Sequence, residues 1–213
     1  MGKRLLLVEG KDDKYVVIHL CRAHGINPAF DIEEPSAEDG GDDQGGVQRL
    51  LDQVPVRLKG SDMERLGVLL DADQDLQSRW AQLRDRLRRA GYEEVPEQPA
   101  PEGTVVDLQH ELGSVRLGVW IMPDNRVPGM LEDFLAFLVP AGDSMMPRVD
   151  QFIASIPKED RRFSNVSKAR IHSYLAIQKE PGKPLGLSIT YRYLDAQSEF
   201  VYPFLNWLRA VLV

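Results

Sequence analysis

Five short apolar runs recur along the chain, and stretches with helical spacing separate most of them. The runs cover residues 4–8, 29–32, 65–70, 104–108 and 115–122. Runs of this length are typical of buried strands. Apolar residues at helical spacing predict helices over 13–24, 47–58 and 76–90. Strands that alternate with helices predict an α/β protein with a mostly parallel central sheet flanked by helices.

Beyond residue 130 the pattern becomes mainly helical. Helices are predicted to begin at 131 and to cover 148–155, 167–178 and 200–212. We therefore expect a domain over residues 1–140 and a mainly helical extension over 141–213 that packs on it. The segment 200–213 is so apolar that two interpretations stay open: burial in the protein's own core, or the interface of a homodimer.

Composition excludes several classes of protein. The single cysteine, Cys21, rules out a disulfide framework and a Cys-rich zinc site, and its apolar surroundings indicate a buried, unreactive thiol. The three tryptophans fit apolar patterns and are predicted to lie in the core. No apolar run approaches the length of a membrane span, so we expect a cytoplasmic protein with no membrane partner.

The net charge of −7 is confined to one place. Residues 31–43 hold seven acids and no base, whereas the rest of the chain has 26 acids (33 − 7) against 26 bases. The stretch predicts a solvated loop after the second strand. A more specific hypothesis is that it mimics nucleic acid and covers the site, which would make it self-inhibitory.

Acidic residues follow the strands or open the helices after them. The three clusters are Glu9 with Asp13, Asp71 with Asp73 and Asp75, and Asp124 with Glu132 and Asp133. The carboxyl ends of parallel strands meet at one edge of a sheet, so these acids are expected to converge. Converging carboxylates need a cation, and oxygen ligands suit Mg²⁺ or Mn²⁺. The alternative is that strand ends and helix caps favour Asp anyway.

Two other interpretations of the segment DADQD at 71–75 can be compared with the chain. An EF-hand needs Gly at its sixth position and Glu at its twelfth, where this chain has Leu76 and Gln82. A phosphatase of the haloacid dehalogenase type also places Asp-x-Asp after a strand, with the first Asp as nucleophile. This second interpretation stays open as the weaker enzymatic alternative.

The motifs LLLVEGKDD, GVLLDAD and GMLEDFL together resemble a TOPRIM domain, the metal-binding module of topoisomerases, bacterial primases and OLD (overcoming lysogenisation defect) nucleases. The resemblance covers about residues 3–140. Asp13, four residues after Glu9, and the pair Leu131-Glu132 resemble the OLD type more closely. The segment KARIHSYLAIQKEPGKPLGLSITYRYLD resembles small stand-alone proteins grouped with that family, whose function is largely unassigned.

The resemblance implies roles for individual residues. Glu9 matches the TOPRIM glutamate, a metal ligand or general acid–base, and Asp71 and Asp73 match the Asp-x-Asp ligands. Asp13 and Glu132 match positions that help hold a second metal ion, so two Mg²⁺ or Mn²⁺ ions are expected. Lys168 is the best candidate for the catalytic lysine of OLD nucleases. Further candidate metal ligands are Asp75, Asp124 and Asp133.

Binding of a nucleic-acid substrate requires positively charged side chains, and two stretches of the chain supply them. Residues 77–89 carry five arginines, a pattern that favours a solvated helix face. Residues 158–172 hold five bases against two acids and lead into Lys168, which makes them the better candidate. Gly10 is expected to allow a sharp turn beside the metal. The predicted substrate-binding residues are Gly10, Lys11, Arg161, Arg162, Arg170 and His172.

The resemblance therefore implies metal-dependent hydrolysis of a phosphodiester in DNA or RNA. Primases of this type carry a zinc module, which one cysteine cannot build, and the chain has no room for the tyrosine-bearing domain of a topoisomerase. OLD nucleases carry an ATPase domain, but no GxxxxGK[ST] motif occurs here, so any ATPase of the ABC type is a separate partner. The competing hypothesis is a non-catalytic interaction module that metal stabilises.

Overall fold

One five-stranded sheet forms the centre of the protein. The computed structural model describes residues 2–35, 46–110 and 113–213. The strands are β1 (Lys3–Leu7), β2 (Asp31–Glu33), β3 (Met63–Asp71), β4 (Thr104–His110) and β5 (Gly113–Met122). Their order is β2-β1-β3-β5-β4, and all neighbours run parallel except the antiparallel pair β4 and β5. The predicted mostly parallel sheet is confirmed.

Helices cover both faces of this sheet. They are α1 (Lys11–Ala23), α2 (Gly46–Leu58), α3 (Leu76–Arg89), α4 (Leu131–Ala136), α5 (Met145–Ser155), α6 (Val166–Ala176), α7 (Leu185–Thr190) and α8 (Val201–Leu212). A 3₁₀ turn at Lys158–Asp160 precedes α6. Helix α7 was not predicted, because six residues after Pro184 are too few to establish a helical period.

Alternate residues of the central strands supply two separate cores. Leu5 and Leu7 of β1 pack with the apolar residues of α2 and α3. Leu6 and Val8 point to the other face, where they join α1 and the helices that follow β5. Burial on both faces explains why β1 and β3 have continuous apolar runs rather than an alternating pattern.

Helix α8 lies directly on the sheet because two neighbouring strands carry glycine beneath it. Gly67 of β3 and Gly118 of β5 are register partners. A Cβ atom added at Gly118 would lie 2.2 Å from Val211 Cγ2, and one added at Gly67 would lie 3.1 Å from Leu212 Cδ1. Most apolar residues of α8 are therefore buried in the protein's own core, which weakens the argument for a homodimer, although Phe200, Tyr202 and Val213 stay exposed.

The acidic stretch begins as a strand rather than as a loop. Asp31–Glu33 form β2. Glu33 forms ion pairs with Lys3 at 3.1 Å and with Arg57 at 3.0 Å. The strand predicted over 29–32 is therefore present, shifted to Asp31–Glu33, and β1 supplies its pairing partner. Residues 36–45 lie outside the described part of the chain, so the predicted loop and its self-inhibitory role stay predictions.

Three smaller expectations concern membrane spans, the cysteine and the tryptophans. Among the described residues, no helix has the length and apolar character needed to cross a membrane. Cys21 is buried, and desolvation raises the pKa of its thiol to about 11, as expected for an unreactive thiol. Trp80, Trp120 and Trp207 are each at most 2% exposed, which confirms that they belong to the core.

Candidate functional site

Acidic side chains from separate parts of the sequence meet at the carboxyl edge of the sheet. Glu9 follows β1, Asp71 ends β3, and Glu132 lies in the first turn of α4 after β5. Asp13 joins them from the first turn of α1. Asp13 is 8% exposed and Glu132 is 5% exposed, and burial to this degree is rare for carboxylates.

Backbone amides orient two of these carboxylates. Oε1 of Glu9 accepts a hydrogen bond of 2.8 Å from the amide of Asp71. Oδ1 of Asp71 in turn accepts one of 2.9 Å from the amide of Leu131. These two hydrogen bonds connect the ends of β1 and β3 to the start of α4 and so stabilise this edge of the sheet.

Gly10 caps the first turn of α1. Its amide donates a hydrogen bond of 3.1 Å to Oδ2 of Asp13. Gly10 is extended, with φ of −161°, and an added Cβ would lie 3.8 Å from the nearest atom, Oδ2 of Asp13. The expectation that a sharp turn requires glycine here is therefore wrong, because an extended backbone is open to any residue.

Burial and mutual repulsion both act on the acids of this edge. Desolvation, followed by the charge of Glu9, raises the pKa of Asp13 to about 7. Desolvation, followed by the charges of Glu9, Asp13 and Glu132, raises the pKa of Asp71 well above its ordinary value. Desolvation also raises the pKa of Glu9, although Arg79 and Lys168 act in the opposite direction. Burial first, and the neighbouring acids second, therefore disfavour the charged form of these carboxylates.

Arg79 is a buried member of the site that the sequence interpretation missed. Its Nε donates a hydrogen bond of 2.8 Å to the carbonyl of Asp71, and Nη2 contacts Oδ2 of Asp73. The predicted solvated face is therefore wrong for Arg79, which is 7% exposed. A signal was present, since Arg79 lies three residues after Leu76 and four before Leu83, on the apolar stripe of α3.

Asp73 has an unusual backbone and a partly open side chain. Its φ is +55°, in the left-handed region, and its amide donates a hydrogen bond of 2.8 Å to the carbonyl of Gly129. The side chain is 49% exposed. Arg79 therefore holds Asp73 beside the buried acids, with one side of its carboxylate open to solvent.

Three further candidate ligands have structural hydrogen bonds instead. Asp75 is the N-cap of α3 and accepts a hydrogen bond of 3.0 Å from the amide of Ser78. Oδ1 of Asp124 accepts bonds of 2.9 and 3.0 Å from the amides two and three residues later. Oδ2 of Asp133 accepts one of 2.9 Å from the amide of Met130. These contacts account for the three acids as turn and cap residues.

Helix α6 brings Lys168 to the same edge. Lys168 Nζ lies 3.8 Å from Oε1 of Glu132, and the lysine side chain is 57% exposed. A hydrogen bond of 2.6 Å from Ser167 Oγ to Oδ1 of Asp133 fastens α6 to α4. The predicted lysine therefore lies next to a buried acid and extends into solvent.

A polar cleft opens between Asp73 and the start of α6. Its volume is about 710 Å³. The lining residues are Asp73, Gln74, Pro128, Gly129, Met130, Asp133, Ser164, Asn165, Val166 and Ser167. Hydroxyl, amide and carboxylate groups dominate this surface, so it suits a polar ligand beside the buried acids.

The predicted substrate-binding cations fall into two groups. Lys11, Arg162 and His172 are exposed, and no hydrogen bond or ion pair engages their side chains within the described ranges. Arg170 instead forms a bidentate pair with Asp150 of α5, at 2.5 and 3.0 Å. Arg161 donates a hydrogen bond of 3.2 Å to the backbone carbonyl of residue 156. Arg161 and Arg170 therefore help to hold the segment together.

The carboxylates of this edge are chemically suited to a hard divalent cation, although their oxygens do not form a closed coordination shell. In the part of the chain that the structure describes, no three His, Cys, Asp or Glu side chains form a group that could hold a metal ion. One oxygen each of Glu9, Asp71 and Asp73 bonds to an amide or to Arg79. Their second oxygens, together with Asp13 and Glu132, are the ligands that Mg²⁺ or Mn²⁺ prefers.

The fold and this edge define a class: an α/β protein with buried carboxylates where its parallel strands end. The chain belongs to the family described as Protein of unknown function (DUF3226), which it matches over residues 3–213. No curated protein and no solved structure matches the chain significantly.

Proposed function

We propose that this protein is a Mg²⁺- or Mn²⁺-dependent phosphodiesterase that acts on nucleic acid, as its resemblance to the OLD-type TOPRIM nucleases implies. The observation that carries the proposal is the convergence of Glu9, Asp13, Asp71 and Glu132 at one sheet edge. Desolvation, followed by repulsion from the neighbouring carboxylates, raises the pKa of Asp13 and Asp71, so a bound cation would stabilise the charged form of the edge.

Two groups of carboxylates would hold the ions. Glu9, Asp71 and Asp73 would bind one ion, and Asp13 and Glu132 would bind the other. When bound, such ions lower the pKa of water and stabilise the leaving oxygen of a phosphodiester. The amide of Asp71 donates to one carboxylate oxygen of Glu9, and the amide of Leu131 donates to one carboxylate oxygen of Asp71. These bonds fix the orientation of both carboxylates and leave the second oxygen of each available to an ion.

Two cationic side chains complete the chemistry of the edge. Lys168 is largely exposed beside Glu132, so its ammonium group can approach a phosphate and offset the charge that grows on it. Arg79 is buried and acts through the carbonyl of Asp71 and the carboxylate of Asp73, which makes it a positioning residue.

Nucleic acid is the proposed substrate because the resemblance implies it, and because polar side chains line the cleft while several basic side chains of the predicted substrate-binding set are exposed. Lys11, Arg162 and His172 are exposed, and Ser164 and Asn165 line the cleft next to Asp73. Contacts of this kind bind phosphate and sugar without reading the sequence. Both DNA and RNA fit this surface, and an ATPase of the ABC type is the proposed partner for any ATP-dependent step.

Cleavage of plasmid DNA and of an RNA of similar length, with Mg²⁺ or Mn²⁺ added, tests the proposal. We expect nicking by the wild-type protein and a loss of at least about a hundredfold in Glu9→Gln. The variant Glu93→Gln, at an exposed acid remote from the edge, should cleave like the wild type. Equal activity in the wild type and Glu9→Gln would overturn the assignment.

A non-catalytic interaction module stabilised by metal is the second candidate. It is favoured by one observation: the amide of Asp71 and the guanidinium group of Arg79 each engage one carboxylate oxygen, of Glu9 and of Asp73 respectively. Calorimetric titration with Mn²⁺ combined with the cleavage assay separates the candidates, since a module binds the ion but cleaves neither substrate. The phosphatase alternative, with Asp71 as nucleophile, stays the weaker enzymatic candidate.

A further inference from the structure

A second cavity lies at the opposite end of α1 from the acidic edge. Its volume is about 590 Å³, and its walls come from residues 19–23 of α1, the end of α7 and the segment 192–197. Cavities of roughly 300–1,000 Å³ are typical of small-molecule sites. Among the described residues that line it, none belongs to the acids or cations assigned to the proposed metal site and its substrate. It is therefore a separate candidate site.

Apolar side chains form part of the wall of this cavity. Ile189, near the end of α7, is 3% exposed, and Leu194 is 1% exposed. Pro140 is half-buried and adds a third apolar group. A surface of this kind binds the apolar part of a ligand by removing it from water. A ligand with an apolar ring or chain is therefore favoured over a fully polar one.

Two arginines line the same cavity. Arg22 lies in the last turn of α1, and Arg192 follows α7. Both are exposed, and neither side chain forms an ion pair or a hydrogen bond with any residue that the structure describes. Arg116 and Arg170, by contrast, each have a bidentate carboxylate partner. The backbone of Arg192 has φ of +60°, a conformation that is uncommon outside glycine and clusters at functional sites.

The other polar groups of the cavity leave it with a positive balance. Asp195 is the one carboxylate among its described lining residues, and Oδ1 accepts a hydrogen bond of 2.8 Å from the amide of Gln197. Nδ1 of His19 lies 2.7 Å from Oγ1 of Thr190. Desolvation, followed by the charge of Arg22, lowers the pKa of His19, so its imidazole is neutral near neutral pH. Two guanidinium groups against one carboxylate give a formal charge of +1, which favours an anion.

We propose that this cavity, which we call the Arg22 pocket, binds a small organic phosphate monoester. The phosphate group pairs with Arg22 and Arg192, and the organic group packs on Ile189 and Leu194. Near neutral pH a phosphate monoester carries close to two negative charges and three strong acceptor oxygens. It can therefore pair with both guanidinium groups, each of which donates parallel hydrogen bonds. A carboxylate, with a single charge, matches two arginines less well. The proposal is independent of the proposed metal chemistry.

NMR titration of the ¹⁵N-labelled full-length protein, with EDTA present to exclude metal ions, tests the proposal. The probes are phenyl phosphate, inorganic phosphate and benzoate. We expect phenyl phosphate to shift the backbone amide signals of residues 189–197 and to leave those of Asp71 and Leu131, at the acidic edge, in place. Inorganic phosphate should bind at least about threefold more weakly, because it lacks an apolar group. Benzoate should bind at least about tenfold more weakly, because it carries a single charge.

Two surface variants test the arginines directly. Arg22→Gln and Arg192→Gln should each weaken the binding of phenyl phosphate by at least about fivefold, because each removes a charged hydrogen-bond donor. Both side chains are exposed, so both variants should fold, which thermal unfolding checks. Arg148→Gln, at an exposed arginine that does not line the cavity, is the matched control and should bind like the wild type. The proposal is overturned if phenyl phosphate shifts no signal of residues 189–197, if inorganic phosphate or benzoate binds as tightly, or if neither variant weakens binding.

Discussion

The same two strands, β3 and β5, build two regions of opposite character. Under α8 they carry Gly67 and Gly118, and the helix packs so closely that an added Cβ would overlap it. Four residues beyond Gly67, β3 ends in Asp71, where buried carboxylates repel one another. The surface of β3 and β5 under α8, which we call the apolar floor, is closely packed, whereas the acidic edge is left with unbalanced charge.

This difference separates what holds the protein together from what it can do. Close packing on the floor contributes stability without any partner. The acidic edge lowers stability in the absence of a cation, which is the usual condition of a site arranged for binding. Changes on the floor should therefore alter unfolding and leave binding intact, and changes at the edge should do the reverse or alter both.

The largest expected effect is on the pH dependence of the edge. The pKa of Asp13 is raised from 3.8 to about 7, so the folded protein retains a proton that the unfolded chain releases above 3.8. In the metal-free protein this group should therefore reduce stability as pH rises from about 4 to about 7. As pH rises from about 5 to about 8, the free energy of unfolding of Asp13→Asn should therefore increase by about 3 kcal/mol relative to that of the wild type.

Urea unfolding at several pH values measures this gain. Asp12→Asn, at the exposed neighbouring acid, is the control and should run parallel to the wild type. A constant difference between Asp13→Asn and the wild type across the range would contradict the burial of charge at the edge.

Arg79→Gln should cost about 2 kcal/mol, because the carbonyl of Asp71 and the carboxylate of Asp73 would lose their donor. It should also weaken the binding of Mn²⁺ by about tenfold, since second contacts of this kind orient metal ligands. Arg89→Gln, at an exposed position of the same helix, should change neither property. If Arg79→Gln binds Mn²⁺ as tightly as the wild type, Arg79 does not position the acids.

On the apolar floor, Gly118→Ala should cost about 1–2 kcal/mol through overlap with Val211. Thermal unfolding measures this cost. Below the unfolding temperature the variant should bind Mn²⁺ like the wild type, because the floor does not touch the edge. Gly46→Ala is the control for thermal unfolding alone, since its added Cβ would lie at an ordinary contact distance of 3.7 Å from the nearest atom, the carbonyl of Glu9. A loss of Mn²⁺ affinity in Gly118→Ala would mean that the two regions are coupled.

The smallest effect is expected at the contact that fastens α6. Ser167→Ala removes the hydrogen bond to Asp133 and should cost about 0.5–1 kcal/mol in urea unfolding. It should reduce the rate of cleavage by more than this small loss of stability accounts for, because the contact holds the neighbouring residue Lys168 in place. Ser155→Ala removes an exposed hydrogen bond to a backbone carbonyl and serves as the control. Full cleavage activity in Ser167→Ala would separate the position of Lys168 from this contact.

Periodicity in the sequence predicted the strands and most helices, because burial on both sheet faces leaves a continuous apolar run. It could not predict α7, whose short segment is held by contact with α1: a Cβ at Gly186 would lie 2.7 Å from the carbonyl of Tyr15. It also missed that β2 extends through Glu33, since the ion pairs with Lys3 and Arg57 come from distant residues.

For the site, the sequence predicted that acids would meet at the strand ends, and Glu9, Asp13, Asp71 and Glu132 do so. It could not separate them from Asp124, because caps and turns use the same residue type at the same kind of position. The five arginines of residues 77–89 look alike in sequence. Only the packing of α3 shows that Arg79 alone reaches the carbonyl of Asp71 among them.

Calorimetric titration with Mn²⁺, slightly above neutral pH, tests the central claim that the acidic edge is a metal site. We predict saturable binding to the wild type and affinity at least about tenfold weaker in Asp71→Asn. Asp124→Asn, at an acid with a turn role, should bind like the wild type. Absence of saturable binding, or equal affinity in the wild type and Asp71→Asn, would contradict the claim.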